Sequence, residues 1–263
     1  KKGLSKKPID VDGLALDDPE VYKLLQRCDT TGVFQLESDG MRGYLKKLRA
    51  DCFEDIVATL ALYRPGPLNS GMVDDYIQVK HGAKVRYPHE MLEEILKPTN
   101  GVFLYQEQVM KSAQVMAGYS LGGADILRRA MGKKKVEEME EQREVFVTGA
   151  GKKNIKKQKA NEIFDLIDKF SGYGFNKSHS VAYAYISYQT AWLKAHFPAP
   201  FMAAVLSSVM DDTDRIAFTV GESKKKGVIF IAPDINQSEY EFSIIDNTTI
   251  VYGLGAIKGV GEA

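Results

Sequence analysis

The sequence predicts a mainly α-helical fold, a helical body reaching to about residue 212 followed by a small C-terminal α/β appendage. Three observations lead there. Apolar residues recur at three- and four-residue intervals from Val21 to Met210, which is the period of a half-buried helix. After Thr213 that pattern gives way to short β-type runs separated by turn residues. With 263 residues and 44% apolar content, the chain is long and apolar enough to bury a substantial core.

The opening, Lys1 to Asp12, is polar and reads as loose, and Asp17, Asp18 and Pro19 then make a helix start for Val21, Leu24 and Leu25. Residues Gly32 to Glu37, G-V-F-Q-L-E, read as a short extended piece. Met41, Tyr44, Leu45 and Leu48 fall on one helix face, and Ile56, Val57, Leu60 and Leu62 on another. The run from Arg64, R-P-G-P-L-N-S-G, reads as a break that carries neither period. A helix from Leu104 to Ala117 follows, with Gly118 as its stop. Next come a short helix over Ala124 to Met131, a charged one over Val136 to Val147, and a loop over Gly149 to Asn154. Gln158 to Phe170 buries Ile163, Phe164, Ile167 and Phe170, with Gly172 as its cap. The longest helix is expected over Ser180 to Phe197, ended by Pro198, and an apolar one over Phe201 to Met210. The appendage holds a helix with Ile216 and Val220 and three β-type runs, starting at Gly227, Tyr240 and Ile250.

Charge is balanced overall, 35 basic against 35 acidic residues, so any nucleic-acid or anion surface has to come from local clustering. Clusters occur at Lys1 to Lys7, Arg128 to Lys135, Lys152 to Lys159 and Lys224 to Lys226. The cysteines, Cys28 and Cys52, have no closely spaced Cys or His partners, which argues against a zinc site or a disulfide framework and for a reduced, cytoplasmic setting. No apolar run is long enough to span a bilayer. With no initiator Met and an end inside G-L-G-A-I-K-G-V-G-E-A, the chain reads as a piece of something longer.

Two segments carry the chemistry. Phe170 to His179, F-S-G-Y-G-F-N-K-S-H, mixes glycines and ring faces with the donors of Asn176, Lys177 and His179. Gly122 to Lys135 supplies Arg128, Arg129, Lys133, Lys134 and Lys135. Together they suggest a surface for nucleotide phosphate and nucleic acid. Arg128 and Arg129 point about 100° apart on a helix, so both cannot face a core, and guanidinium forks suit phosphate oxygens. Asp125, three and four residues earlier, could satisfy either as an ordinary helix-surface pair, and both readings stand. For 173–179 the competing reading is a helix-to-helix loop with Ser178 or Ser180 as cap, which leaves Asn176, Lys177 and His179 without a role.

Other features read as structure. Tyr185, Tyr188 and Trp192 at helical spacing read as core, and the lysines of 152–159 as a solvated loop. Asp10 and Asp12 have a tempting spacing but lie in a polar segment, while the pairs Asp17-Asp18, Asp74-Asp75 and Asp211-Asp212 read as helix caps. The glycines at 253 and 255 lack the third glycine and the long helix that a dinucleotide loop needs.

At several motifs the sequence closely resembles a known family: T-T-G-V-F-Q-L-E-S from Thr30, R-P-G-P-L from Arg64, L-Y-Q-E-Q-V-M from Leu104, G-G-A-D-I-L-R-R-A-M-G-K-K-K from Gly122 and G-Y-G-F-N-K-S-H-S from Gly172. In the same order they resemble the alpha-subunit family of bacterial DNA polymerase III, the C-family replicative polymerases. The resemblance implies a helical fingers domain over 31–212, preceded at 1–30 by a segment that follows the palm. Residues 213–263 then lead towards a helix-hairpin-helix part expected beyond this chain. It implies that Arg128, Arg129, Tyr173, Asn176, Lys177 and His179 bind the incoming deoxynucleoside triphosphate, with Lys133, Lys134 and Lys135 as weaker contacts to primer-template DNA. It also implies that catalytic aspartates and their Mg2+ belong to a palm absent here, so that this stretch holds no catalytic residue and no metal and is inactive alone. Further partners would be other replisome subunits, with no membrane association. The alternative from another class is a non-catalytic helical module that grips nucleic acid or a protein.

Overall fold

The computed structural model describes residues 9–133, 136–171 and 174–261, with Ser171 described by its backbone alone. Among them are thirteen α-helices and a three-stranded sheet, so the mainly α expectation with a small α/β appendage holds. The chain packs as two units, Glu54–Ala184 and, from both ends of the sequence, Lys1–Phe53 with Tyr185–Ala263. These packing units cut the chain at other points than the segments 1–30, 31–212 and 213–263.

The unit built from both ends starts with α1 (Pro19–Gln26), where Asp18 accepts from the Glu20 N–H and Pro19 takes the first helical position. In α2 (Asp39–Leu48), Ser38 is the cap and Met41, Tyr44, Leu45 and Leu48 are buried. Between them the expected extended piece at 32–37 is instead a pair of tight turns. Val33 N–H donates to Thr30 O at 2.9 Å and Leu36 N–H to Val33 O at 3.1 Å, with Gln35 left-handed at φ 61°. Val33 and Leu36, three residues apart, are both fully buried. The turns are pinned to the long helix of this unit, since Phe34 N–H donates to Thr190 Oγ1 and Ser187 Oγ to Phe34 O.

In Glu54–Ala184 the helices are α3 (Phe53–Leu62, its first residue belonging to the other unit), α4 (Pro65–Asn69), α5 (Met72–Lys80), α6 (Glu93–Leu96), α7 (Gln106–Ala117), α8 (Leu121–Lys133), α9 (Val136–Gly151) and α10 (Lys157–Ser171). The break at Arg64 is real, but it encloses a short helix: Pro65 and Pro67 sit in its first turn, where a missing N–H costs nothing. Gly118 ends α7 in the left-handed conformation, as expected. Helix α9 runs on through the expected loop at 149–151. A side chain at Gly149 would lie 2.0 Å from the Ala117 carbonyl oxygen, so this glycine marks a close helix approach and not a turn. The core joins Val109, Ala113 and Met116 of α7, Leu127 and Met131 of α8, Phe146 of α9 and the Ile163, Phe164, Ile167, Phe170 face of α10.

Helix α11 (Lys177–His196) starts three residues before the expected Ser180. Of the three aromatics expected as core along it, Tyr188 is buried while Tyr185 and Trp192 are half-buried. Tyr188 is fully buried against Tyr22 and Phe53, its hydroxyl donating to Ala15 O and accepting from the Asp18 N–H. Trp192 Nε1 donates to Asp18 Oδ2 at 3.0 Å, and His196 Nε2 lies 2.7 Å from the same oxygen.

After Pro198, α12 (Pro198–Ser207) and α13 (Thr213–Lys225) cover a sheet of β1 (Ile229–Ile231), β2 (Ser243–Ile244) and β3 (Thr249–Val251) in the order β1-β3-β2. Phe230 pairs with Ile250 in the parallel β1/β3 ladder, and Ile244 with Ile250 in the antiparallel β2/β3 one. Ala199, Met202, Ala203 and Leu206 close this core with Ile216, Val228, Phe242 and Ile250. No described helix is long and apolar enough to cross a membrane.

Candidate functional site

The first turn of α11 is assembled by residues from α7 and the strand-like stretch before it. Tyr105 and Phe175 form a parallel bridge, with Gln106 N–H donating to Phe175 O at 2.9 Å. Gly174 is required there, because a side chain would come within 2.7 Å of the Phe170 ring. Asn176 then caps α11: its Oδ1 accepts from the His179 N–H at 2.8 Å. The Lys177 N–H donates to both Glu107 oxygens at 3.1 Å. These two amides are committed within the protein, so an anion arriving here meets side chains more than a bare helix end. Asn176 therefore has a structural job that the loop reading did not give it, and neither Ser178 nor Ser180 serves as cap. Ser180 is buried and donates to Val57 O.

The side chains of Asn176, Lys177, Ser178 and His179 remain exposed. Lys177 Nζ stands 5.6 Å from the Tyr105 ring centre, and His179 packs its ring between Phe175 and Tyr183 at 5.4 and 4.2 Å. Burial, with Glu107 and Glu54 nearby, pushes the Tyr105 phenol above its ordinary range, so it stays a neutral donor. Tyr173, expected at the same site, lies outside the described residues.

Arg64, which the sequence places in a chain break and in one of the family motifs but not among the candidate site residues, joins this group. Its guanidinium sits 4.2 Å over the Phe175 ring while its Nε donates to Ala61 O. Burial pulls its pKa down, which shows how far the cation has been drawn out of water. The available signals were its place in the R-P-G-P-L motif and an arginine before a proline turn with no carboxylate at helical spacing.

On α8, Arg128 and Arg129 diverge around Asp125 as their adjacency requires. Arg128 Nε reaches Asp125 Oδ1 at 2.8 Å and Arg129 Nε reaches Oδ2 at 2.8 Å. Hydrogen bonding from Arg128, with the charge of both guanidinium groups, holds the Asp125 carboxyl below its usual value. One carboxylate cannot neutralise two guanidinium groups, and Arg128 and Arg129 keep 36% and 68% side-chain exposure. Lys133 pairs with Glu138 at 3.1 Å, and Lys134 and Lys135 lie outside the described residues.

The structure thus brings Asn176, Lys177 and His179 together with Tyr105, Glu107 and Arg64, and separately Arg128 with Arg129. Among the described residues no hydrogen bond, ion pair or ring contact joins the two groups. Helix α7 is the element common to both, since its first residue is bonded to Phe175 and its body packs on α8. Asp10 turns inward on its own backbone, accepting from the Asp12 and Gly13 N–H groups, and Asp12 Oδ1 accepts from Gln189.

A family model described as the finger domain of the bacterial DNA polymerase III alpha subunit matches residues 2–154. A helix-hairpin-helix motif model matches residues 227–263, so the likeness to that motif begins inside the appendage, where the sequence reading had placed it beyond the chain. The chain is 59% identical to the DNA polymerase III subunit alpha of Pseudomonas aeruginosa over 100% of its own length. It is 57% identical to that of Vibrio cholerae over 99%, and 56% identical to that of Escherichia coli K12 over 97%. It spans 22% to 23% of the length of these curated relatives. With those motifs matched across both packing units, the chain belongs to the family of bacterial DNA polymerase III alpha subunit finger domains.

Proposed function

We propose that this chain is the part of a bacterial replicative DNA polymerase that binds the triphosphate of the incoming deoxynucleotide and helps to position primer-template DNA. Arg128, Arg129, Lys177 and His179 supply positive charge to the phosphates, Asn176 and Tyr173 take part in binding the nucleotide, and Lys133, Lys134 and Lys135 are weaker contacts to primer-template DNA. The observation that carries the reading is the exposed guanidinium pair sharing a single carboxylate, in a chain of the finger-domain family. Each exposed helix pair to Asp125 is worth only about 0.3–0.5 kcal/mol. A charge-assisted contact to phosphate is worth about 1.5–3 kcal/mol, so a triphosphate outcompetes Asp125.

In this reading the cations act before and during transfer. They orient the triphosphate and offset charge that builds on the leaving pyrophosphate, while the reacting hydroxyl is activated elsewhere. Magnesium belongs to that other part. Among the described residues, three carboxylates are already engaged: Asp55 is paired with Lys80 at 2.7 Å, Asp125 with two guanidinium groups, and Asp18 with a backbone N–H, Trp192 and His196. In this reading the chain alone binds without polymerising.

In the intact polymerase, Arg128→Ala and Arg129→Ala should each lower kcat/KM for nucleotide by about 10- to 100-fold. Primer-template affinity should stay within about twofold. Steady-state kinetics with both variants checks this, and unchanged nucleotide kinetics would remove the assignment. If instead duplex affinity fell in proportion with no change in nucleotide KM, the non-catalytic binding module would be the better account.

A further inference from the structure

A basic cavity in the unit formed by both chain ends lies outside everything assigned so far. It measures about 160 Å³, which is room for a few waters or one tetrahedral oxyanion, and its charged lining is Arg27, Asp29, Lys194, Glu222 and Lys226. We propose that this cavity binds a single phosphate group, held by Arg27 and Lys226 in the field of the Lys194 ammonium.

Lys194 is the buried member of the set. Its Nζ donates to Asp29 O and Asp29 Oδ1 at 2.9 Å and to Thr31 O at 3.0 Å, which spends all three protons. It therefore contributes charge without offering a donor. Arg27 and Lys226 are the reverse: both are exposed, and among the described residues no hydrogen bond or ion pair engages either side chain. Glu222 is already paired with Lys225 at 2.9 Å, and Asp29 with Lys194, so both lining carboxylates are spoken for and two cations are left over.

Arg27 and Lys226 cap the C-terminal ends of α1 and α13, and each helix end returns about half a negative charge. The balance still leaves about one positive charge around the cavity, enough to favour an anion. Crowding is visible in Lys194 itself, whose pKa burial lowers, with Arg42 and Lys226 pushing in the same direction against Asp29. An oxyanion between Arg27 and Lys226 would relieve that repulsion. The phosphate could come from a nucleic-acid backbone or be free in solution, and the chemistry of recognition is the same.

The test uses the 263-residue chain and its Arg27→Gln/Lys226→Gln variant. Inorganic phosphate is titrated by phosphorus NMR, and a short fluorescein-labelled duplex by anisotropy over a salt series. Saturable phosphate binding is expected in the parent chain, weakened at least about tenfold in the double variant. Arg27→Lys should retain most of it. Both side chains are exposed, so an unchanged melting temperature will show that the fold is kept; the single variants serve if the double one melts early. If the duplex also weakens, with a salt slope smaller by about 1 to 2, the phosphate is one of the nucleic-acid backbone. If the duplex is unaffected, the site serves a free oxyanion. Absence of saturable phosphate binding, or equal binding by parent and double variant, overturns the proposal.

Discussion

At its start α11 carries Lys177 and His179, and at its end Lys194 and His196, the same two side-chain types at the same spacing in opposite surroundings. Lys194 keeps 7% exposure and is saturated by Asp29 and Thr31, while His196 shares Asp18 with Trp192. The side chains of Lys177 and His179 are exposed and, among the described residues, meet ring faces. A cation whose donors meet buried acceptors is part of the scaffold, because removing it strands those acceptors. One that meets only aromatic faces costs the fold little when removed, and it has donors to spare for an incoming anion. Arg128 and Arg129 stand between these cases, partnered but by a shared, half-exposed carboxylate.

The comparison breaks first at Lys194. Lys194→Met should destabilise the chain by about 2 kcal/mol in urea unfolding, because the half-buried Asp29 carboxylate and the buried Thr31 carbonyl lose their partner. A loss under about 1 kcal/mol would place Lys194 with the exposed cations instead.

Asp18 comes next. Burial alone would raise its carboxyl, but hydrogen bonds from the Glu20 N–H, His196 and Trp192 bring it below the ordinary value. A carboxyl depressed in the folded state stabilises above its unfolded pKa and loses that contribution as pH falls through the folded one. Asp18→Asn, still a good cap, should therefore cost about 1 kcal/mol at pH 7, and the gap between parent and variant should close below about pH 4. A gap that stays constant across the acid range would mean that charge plays no part.

The smallest effect is expected at α8. Arg128→Ala and Arg129→Ala should each change stability by no more than about 0.5 kcal/mol in thermal unfolding, in contrast to their large effect on nucleotide use. A loss of 2 kcal/mol or more would make them scaffold.

Much of this was legible in the sequence because helix signals are local. Asp18-Pro19, Gly118 and the period of Ile163, Phe164, Ile167 and Phe170 each state their structure within a few residues. The extended reading at Gly32 to Glu37 failed because a short apolar run does not distinguish a strand from consecutive tight turns, and helix α9 overran its expected end because Gly149 answers to the distant Ala117 carbonyl. At the candidate site the residue types were legible and their partners were not. Asn176 looked like a ligand donor until it proved to be a cap, and Arg64 was silent because its contact with Phe175 spans more than a hundred positions.

The claim that α8 and the start of α11 serve one anion is tested most directly by hydrogen exchange on the intact polymerase with primer-template, with and without the next correct nucleotide. Nucleotide should slow exchange at both 124–131 and 177–183 together, with the same half-saturating concentration. Protection of one segment alone, or of neither, would contradict it.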